Sequence, residues 1–354
     1  MKSNIIDLLF EGNEKIAWQQ YVNGITKTQD TKNFSKIGKA LEKSHDSVRR
    51  ELKKIYAKMP SIRNNLLKTV IAASAGKKGY IISDGTILKK EYAKKIEGVA
   101  KQHSGNKIVS GINLITTVWT DLEITLALDA YTWIVGEKDK IKVATEKIID
   151  LAIKTNAAGV ICDAGFATID AIGLYIKYKI PFLMRIAANR NVTIKGFEDL
   201  KPLSISKQQA LKLTKNNRLA IAKSNWNGHV FYIIAKKVKV GCSQWKILYF
   251  ATTFIDDNEL KFLGEDQIEN KPKEKRKFLN ITDLYLHRWK IEVFFRKAKQ
   301  DFGLEDCLSR SIKHQETHAL AVLIAYNNQV LLQKDANDKS SDNQGPPDLK
   351  NHMH

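Results

Sequence analysis

Three acidic residues stand where chemistry could be assembled. Asp84 follows the apolar run GYIIS and precedes Gly85 and Thr86, so its carboxylate is expected at a strand end where the chain turns. Asp163 repeats the pattern after GVIC, ahead of Ala164, Gly165 and Phe166. Glu292 lies in YLHRWKIEVFFRKAK, where Tyr285, Arg288, Glu292 and Lys299 are separated by three, four and seven residues and so share one stripe of an α-helix. Leu284, Ile291, Phe294, Phe295 and Ala298 supply an adjacent apolar face for packing on a sheet. Two Asp and one Glu that converge are hard oxygen ligands of the kind Mg²⁺ takes. A pair of such ions, about 3.5 to 4 Å apart, activates an attacking oxygen and stabilises a leaving oxygen in phosphoryl displacement. Arg288 and Lys299 have the chemistry of phosphate clamps. Each group also has an ordinary alternative: Asp before Gly is common turn chemistry, and Arg288 with Glu292 can form an i, i+4 ion pair worth a few tenths of a kcal/mol.

The elements that must position these residues follow from periodicity. Residues 1 to about 70 read as helical, with apolar spacings of three and four in IAWQQYV, SKIGKALEK and VRRELKKIYAKM. Ser35–Lys43 and Ser47–Met59 are expected as two helices joined by a short polar turn, with Asp46 as N-cap, which suggests helix-turn-helix. Ser47, Arg49 and Arg50 then occupy the start of a recognition helix, where base edges and phosphates are met; a solvated basic helix is the plain alternative. Past AASAGKKG, three strand candidates (GYIISDGT, KIVSGINLITTVW, LEITLALDAYTW) are followed by a helix from about 139 to 155, the strand GVICDAG, a helix TIDAIGLYIKYK and the strand PFLMRIAA. This order predicts a mixed α/β sheet over 76–190. Residues 191–280 read as a β-rich insertion ending in the basic KPKEKRKF, 281–334 as helical, and 335–354 as a disordered tail. Trp119, Trp133 and Cys162 read as packing, and His287, His314 and His318 lack a third ligand for zinc.

Composition narrows the partners. The 354 residues carry 58 Lys and Arg against 38 Asp and Glu, a net +20, with 43% hydrophobic residues. A foldable but strongly basic chain points to a polyanion. Three cysteines without paired spacing exclude a disulfide framework and a thiolate zinc site, and fit a reducing cytoplasm. No apolar run reaches the length of a membrane span, so neither membrane insertion nor secretion is expected.

With these residues in place, residues 75 to 335 resemble the DDE transposases of the insertion-sequence-four type. Their signature of Tyr, two residues, Arg, three residues, Glu, six residues and Lys is met without gaps by Tyr285, Arg288, Glu292 and Lys299, within the similar text RWKIEVFFRKAKQDFGLE. Asp84 with Thr86, and Asp163 through Phe166, match the two other motifs, and the 79 and 129 residues between the acids suit the family's insertion. The resemblance implies a ribonuclease H-like catalytic core with a β-rich insertion, preceded by the small all-α N-terminal unit. It implies Asp84, Asp163 and Glu292 as ligands of two Mg²⁺ ions, which Mn²⁺ can replace, with Tyr285, Arg288 and Lys299 on transposon-end phosphates. The implied reaction is end nicking, hairpin formation, hairpin opening and strand transfer by a cytoplasmic, nucleoid-associated prokaryotic homodimer. Its double-stranded DNA partners are terminal inverted repeats and target DNA. An insertion-domain aromatic often stacks on a flipped base in this family, and Trp226 and Trp245 are the candidates. Two other readings stay open: a truncated or decayed copy that only binds DNA, and a structure-selective nuclease.

Overall fold

β-branched and aromatic residues crowd the segments between residues 80 and 133, and these form the centre of the sheet. The computed structural model describes residues 12–91, 95–104, 107–134, 136, 139–194, 201–208, 211, 213, 218–240, 244–255 and 280–342. The basic KPKEKRKF and the end of the chain from 343 lie outside them. β1 (Tyr80–Lys89) pairs antiparallel with β3 (Lys107–Thr120). The other edge of β3 takes β2 (Ala100–Ser104) along its first half and β4 (Thr125–Trp133) along its second. The expected three-strand meander therefore has four strands, β2 being too short and polar (AKQHS) to announce itself.

Helix α5 (Lys140–Lys154) carries the chain back so that β5 (Gly159–Cys162) lies parallel to β1, with Ser83 opposite Cys162; α6 (Ile169–Lys177) does the same for β6 (Phe182–Arg185). Every residue of GVIC is buried, as befits a parallel strand covered on both faces. The segment expected as an insertion continues this same sheet. β11 (Gln244–Thr252) pairs antiparallel with β6, β10 (His229–Val240) with β11, β9 (Leu219–Trp226) with β10, and β7 (Asn191–Ile194) with β9, β8 (Leu203–Ser204) lying outermost. The β9–β10 hairpin turns on Asn227 and Gly228, both at positive φ (50° and 85°), the two-residue turn that Asn-Gly favours.

Parity along the strands divides the core. Ile82, Leu88, Ile112, Leu114, Val118 and Ile161 face one apolar cluster, while Ile81, Ile115, Trp119, Val160 and Cys162 face another, on the side of α5 and α6. Cys162, Trp119 and Trp133 are buried packing residues, as expected.

Among the described residues four helices precede the sheet: α1 (Gly12–Lys27), α2 (Phe34–Ala40), α3 (His45–Tyr56) and α4 (Met59–Ser74), with Pro60 in the first turn of α4 where its missing N–H costs nothing. The N-cap of α3 is Ser44, whose Oγ accepts from Ser47 N at 3.1 Å, and not Asp46. Asp46 instead lies in the first turn, where its charge suits the helix dipole. Val48, Leu52 and Ile55 of α3 and Trp18, Tyr21, Val22 and Ile25 of α1 belong to the same cluster as Ile82 and Ile161, so these helices and the sheet share one core.

After the sheet the described residues include α7 (Trp289–Gln300) and α8 (Ile312–Asp342). Buried His318 of α8 joins α1 through Tyr21, whose hydroxyl lies 2.8 Å from Nδ1, while Nε2 lies 2.8 Å from the Gly303 carbonyl. The helix runs eight residues past 334, where a disordered tail was expected. Residues 335–342 lack apolar spacing, but a helix already anchored by the buried stretch Ala319–Tyr326 adds turns at little cost. Among the described residues no helix is long and apolar enough to cross a membrane.

Candidate active site

Asp84 and Asp163 meet because of strand register. Ser83 and Cys162 are the last pair of the parallel β1–β5 ladder, so the next residues on each strand, Asp84 and Asp163, emerge side by side on strands about 4.8 Å apart. Both point to the face of Ile82 and Ile161, the face that α7 covers. The strand end expected at Asp84 is a correction: β1 continues five residues further, because Gly85 and Thr86 stay paired with Ile115 and Leu114 of the longer β3. Only the parallel partner stops, and the gap it leaves is where the carboxylate sits. Asp84 Oδ1 accepts from Gly85 N at 2.7 Å. Asp163 ends β5 as expected and caps a 3₁₀ turn, Ala164–Phe166, its Oδ1 accepting from Gly165 N at 2.8 Å. A Cβ on Gly165 would stand 3.1 Å from that same oxygen, so glycine keeps the capping carboxylate in place.

Glu292 is brought over the two aspartates by α7, whose Ile291, Phe294, Phe295 and Ala298 are buried as expected of its apolar face. The single helix expected from 281 to 300 is interrupted by a 3₁₀ turn, Tyr285–Arg288, immediately before α7. The tighter winding takes Tyr285 off the α-helical stripe. Its ring stands edge-on against Phe250 of β11 at 5.1 Å. Burial pushes the Tyr285 hydroxyl up to about 12, against the opposing pull of Arg288 and Arg185.

Arg288 links two of the acids. Nη1 donates to Asp84 Oδ2 at 3.2 Å and Nη2 donates to Glu292 Oε1. The helical ion pair foreseen as the ordinary alternative is thus present, and it extends across to β1. Lys299 reaches β1 as well, donating to the Ile87 carbonyl at 3.1 Å, and is paired with Glu305 Oε1 at 2.9 Å. Asp84 is pushed up to about 6, first by burial and then by the charge of Asp163; the Gly85 N–H and Arg288 act in the opposite sense. Among the described residues no three metal-ligating side chains already close on one point. The guanidinium of Arg288 supplies the positive charge between Asp84 and Glu292. The donor set nonetheless fits a hard divalent cation: all oxygen, crowded enough to disfavour the charged form of Asp84, and blocked only by a flexible side chain that a phosphate would attract.

Two cations of this neighbourhood escaped the sequence reading. Lys140, the first residue of α5, is held below its ordinary value by burial, and Asp163 and Asp84 oppose that shift. Nothing in KDKIK marks it. Arg185 ends β6 beside Tyr285, and its Nε is buried without a hydrogen-bond partner. Its signal was available: like Asp84 and Asp163, it is a charged residue following a short apolar strand run.

The remaining expected residues lie apart. Ser47, Arg49 and Arg50 are on α3, none of them touching the carboxylates; Arg49 and Arg50 are exposed, while Val48 and Leu52 hold the helix to the core. The two tryptophan candidates separate by topology. Trp226 pairs with His229 at the hairpin end of β9, opposite to the carboxylates. Trp245 is exposed on β11, five residues beyond Phe250, which pairs with Arg185. It therefore extends about 17 Å past the end of β6 on the carboxylate side. The Arg218 guanidinium stands 4.7 Å from its ring centre and the Lys237 ammonium 5.5 Å.

No curated protein matches the chain. Among solved structures, a piggyBac transposase synaptic complex with hairpin DNA shares the fold, with a TM-score of 0.51 at 9% identity over 94% of this chain and 69% of that one. The NurA nuclease from Sulfolobus solfataricus aligns over 68% of this chain and 97% of its own at 10% identity, with a TM-score of 0.26. The family described as "Transposase DDE domain" matches residues 75–328, a span that contains all three acids, and the chain belongs to that family.

Proposed function

We propose that the chain is a DNA transposase of the insertion-sequence-four type, with a ribonuclease H-like core, that excises and inserts DNA by cut and paste. The carrying observation is that Arg288 joins Asp84 to Glu292 while Asp163 stands beside Asp84 at the end of the β1–β5 ladder, in a chain with net charge +20. The gapless Tyr285, Arg288, Glu292, Lys299 spacing supports the subtype.

Asp84, Asp163 and Glu292 would hold the divalent ions. Bound Mg²⁺ supplies Lewis-acid activation of the attacking oxygen and charge stabilisation of the leaving oxygen. The chain's own part is positioning. Arg288 exchanges its carboxylate partners for a phosphate of the transposon end, a bidentate acceptor of the same geometry. Tyr285 stays protonated and donates from the β6–β11 side, with Arg185 beside it. Lys299 adds positive charge along the strand from β1. The piggyBac structure similar in fold contains hairpin DNA. A hairpin intermediate is carried over to this chain with that likeness in support; paired inverted repeats, target DNA and action as a homodimer rest on the resemblance of the sequence motifs alone. The exposed Trp245, flanked by Arg218 and Lys237, is the better of the two candidates for stacking on a base.

The test is cleavage of labelled duplex carrying the DNA that flanks the gene, in Mg²⁺ and in EDTA. Mg²⁺-dependent nicking at the ends followed by a hairpin is expected, abolished by Asp84→Ala, Asp163→Ala or Glu292→Ala with DNA binding retained. Full cleavage by any of these variants would overturn the ligand assignment. Binding without cleavage by the unaltered chain would move it to the non-catalytic DNA-binding reading.

A further inference from the structure

Away from the carboxylates, a cavity of about 440 Å³ opens between the start of α2, the start of α3 and the segment leading into α8. Arg49 of α3 and Arg310 of that segment line it, with His45, Asn33, Ser35 and Ser309. No carboxylate is among the lining residues. The nearby acids are not paired with either arginine: Asp46 lies 3.3 Å from the ring of the lining residue His45, and Glu97 accepts from Ile312 N at 2.9 Å. Arg63 and Arg288 are neutralised by ion pairs, whereas among the described residues neither Arg49 nor Arg310 has one. The surroundings are electropositive: after burial, the charges of Arg49 and Lys53 are what hold His314 below its ordinary value.

The walls are also stiff. Gln315 Nε2 donates to the carbonyls of Cys307 (2.9 Å) and Ser309 (2.7 Å), and Lys90 donates to Cys307 O at 2.7 Å. Ser309 Oγ is 2.7 Å from His314 Nδ1. Arg310 therefore leaves a bend whose backbone is tied to α8 and to the segment after β1. Arg49 leaves a helix anchored by Val48 and Leu52. Two guanidiniums from distant parts of the chain, preset around a polar cavity and lacking counter-charges, suit a phosphate group, whose oxygens take forked N–H donors.

We propose that this cavity holds a backbone phosphate of bound DNA, gripped jointly by Arg49 and Arg310. The proposal rests on the DNA reading above and adds a second anchoring point. The Arg310 segment directly follows α7, so a strand held there is held relative to Glu292. The same geometry narrows the expected role of Arg49, from meeting base edges and phosphates to gripping phosphate, and leaves Arg50 free for the groove.

The test is equilibrium binding of the full chain to two labelled duplexes, one with the terminal sequence and one unrelated, between about 50 and 200 mM salt. Arg310→Ala and Arg49→Ala should each weaken both duplexes by the same factor, roughly tenfold, and flatten the slope of log K against log salt by about 0.9, while Arg310→Lys keeps the slope. Both side chains are exposed, and unchanged circular dichroism confirms that the variants fold. Steep, salt-dependent binding by the unaltered chain with unchanged slopes in both alanine variants would overturn this proposal and leave the DNA reading intact. No DNA binding by the unaltered chain would overturn both. Inorganic phosphate is the second arm. A rise in melting temperature with phosphate that Arg310→Ala abolishes, while the DNA slope of that variant stays unchanged, would assign the cavity to free phosphate and refute the DNA assignment.

Discussion

Asn327 offers the sharpest test of how the helices that carry the candidate site are held. It is fully buried on α8, and its amide matches one residue of β4: Oδ1 accepts from Ala127 N at 2.7 Å and Nδ2 donates to Ala127 O at 2.8 Å. Among the described residues no strand pairs with β4 other than β3, and a bulge follows at the Thr117–Val118 step, so this side chain does for the sheet edge what a neighbouring strand would. Asn327→Leu keeps the number and branching of the side-chain heavy atoms, in a bulkier apolar form, and strands two buried backbone groups. At about 1 to 3 kcal/mol for each, the loss is about 2 to 6 kcal/mol. Asn327→Asp retains the acceptor but sets a second oxygen against the Ala127 carbonyl, unless the new carboxyl is protonated and donates. Its folded pKa is then raised above the unfolded value, so its contribution is present at low pH and lost as pH rises. The deficit should therefore be smaller near pH 4 than near pH 7. Urea unfolding followed by circular dichroism measures both, with an unchanged m-value showing that the comparison is sound. A loss below about 0.5 kcal/mol for Asn327→Leu would refute the reasoning, since the edge would then be satisfied without the amide. The consequence for function is direct: Tyr326, the preceding residue, packs edge-on against Phe294 of α7 at 4.9 Å, two residues from Glu292.

Other predictions concern charge and stacking. Burial lowers His318 to about 4, below the unfolded value of about 6.5, so its contribution to stability is intact above the unfolded value and is lost as pH falls through the folded one. The full loss is about 3 kcal/mol, and the stability difference between the unaltered chain and His318→Gln should shrink by that amount from pH 7 to pH 4; parallel curves would refute the assignment. If Trp245 stacks on a base, Trp245→Ala should cost about 1 to 3 kcal/mol of affinity for hairpin DNA while Trp226→Ala leaves it unchanged, as read by fluorescence anisotropy. Equal losses in the two variants would remove the topological argument.

Much of the site was legible in the chain because its signals are local. A run of apolar residues ended by a charge marks Asp163, and it would have marked Arg185 as well. Spacings of three and four show that Ile291, Phe294, Phe295 and Ala298 form the buried face that carries Glu292. Net charge and the pattern of acids already pointed to phosphodiester chemistry. What could not be read is set by partners far away in sequence. Asp84 looks like a turn residue beside Gly85, and only the greater length of β3 keeps it within a strand. Ser44 and Asp46 are both competent caps, and the entry angle of the chain selects Ser44.

The sequence by itself determined most of the strands and helices around the candidate site, though not the short β2 or the 3₁₀ turn before α7, together with which faces are apolar and which residue types stand at the ends of β5 and β6, because these depend on neighbours within a few positions. The tertiary structure alone decided that Asp84 and Asp163 lie side by side, that Arg288 bridges to β1, that β7 to β11 continue the central sheet, and that Asn327 completes the edge of β4. Register and burial arise from contacts between residues as far as 297 positions apart, and those contacts exist only once the sheet and helices have packed.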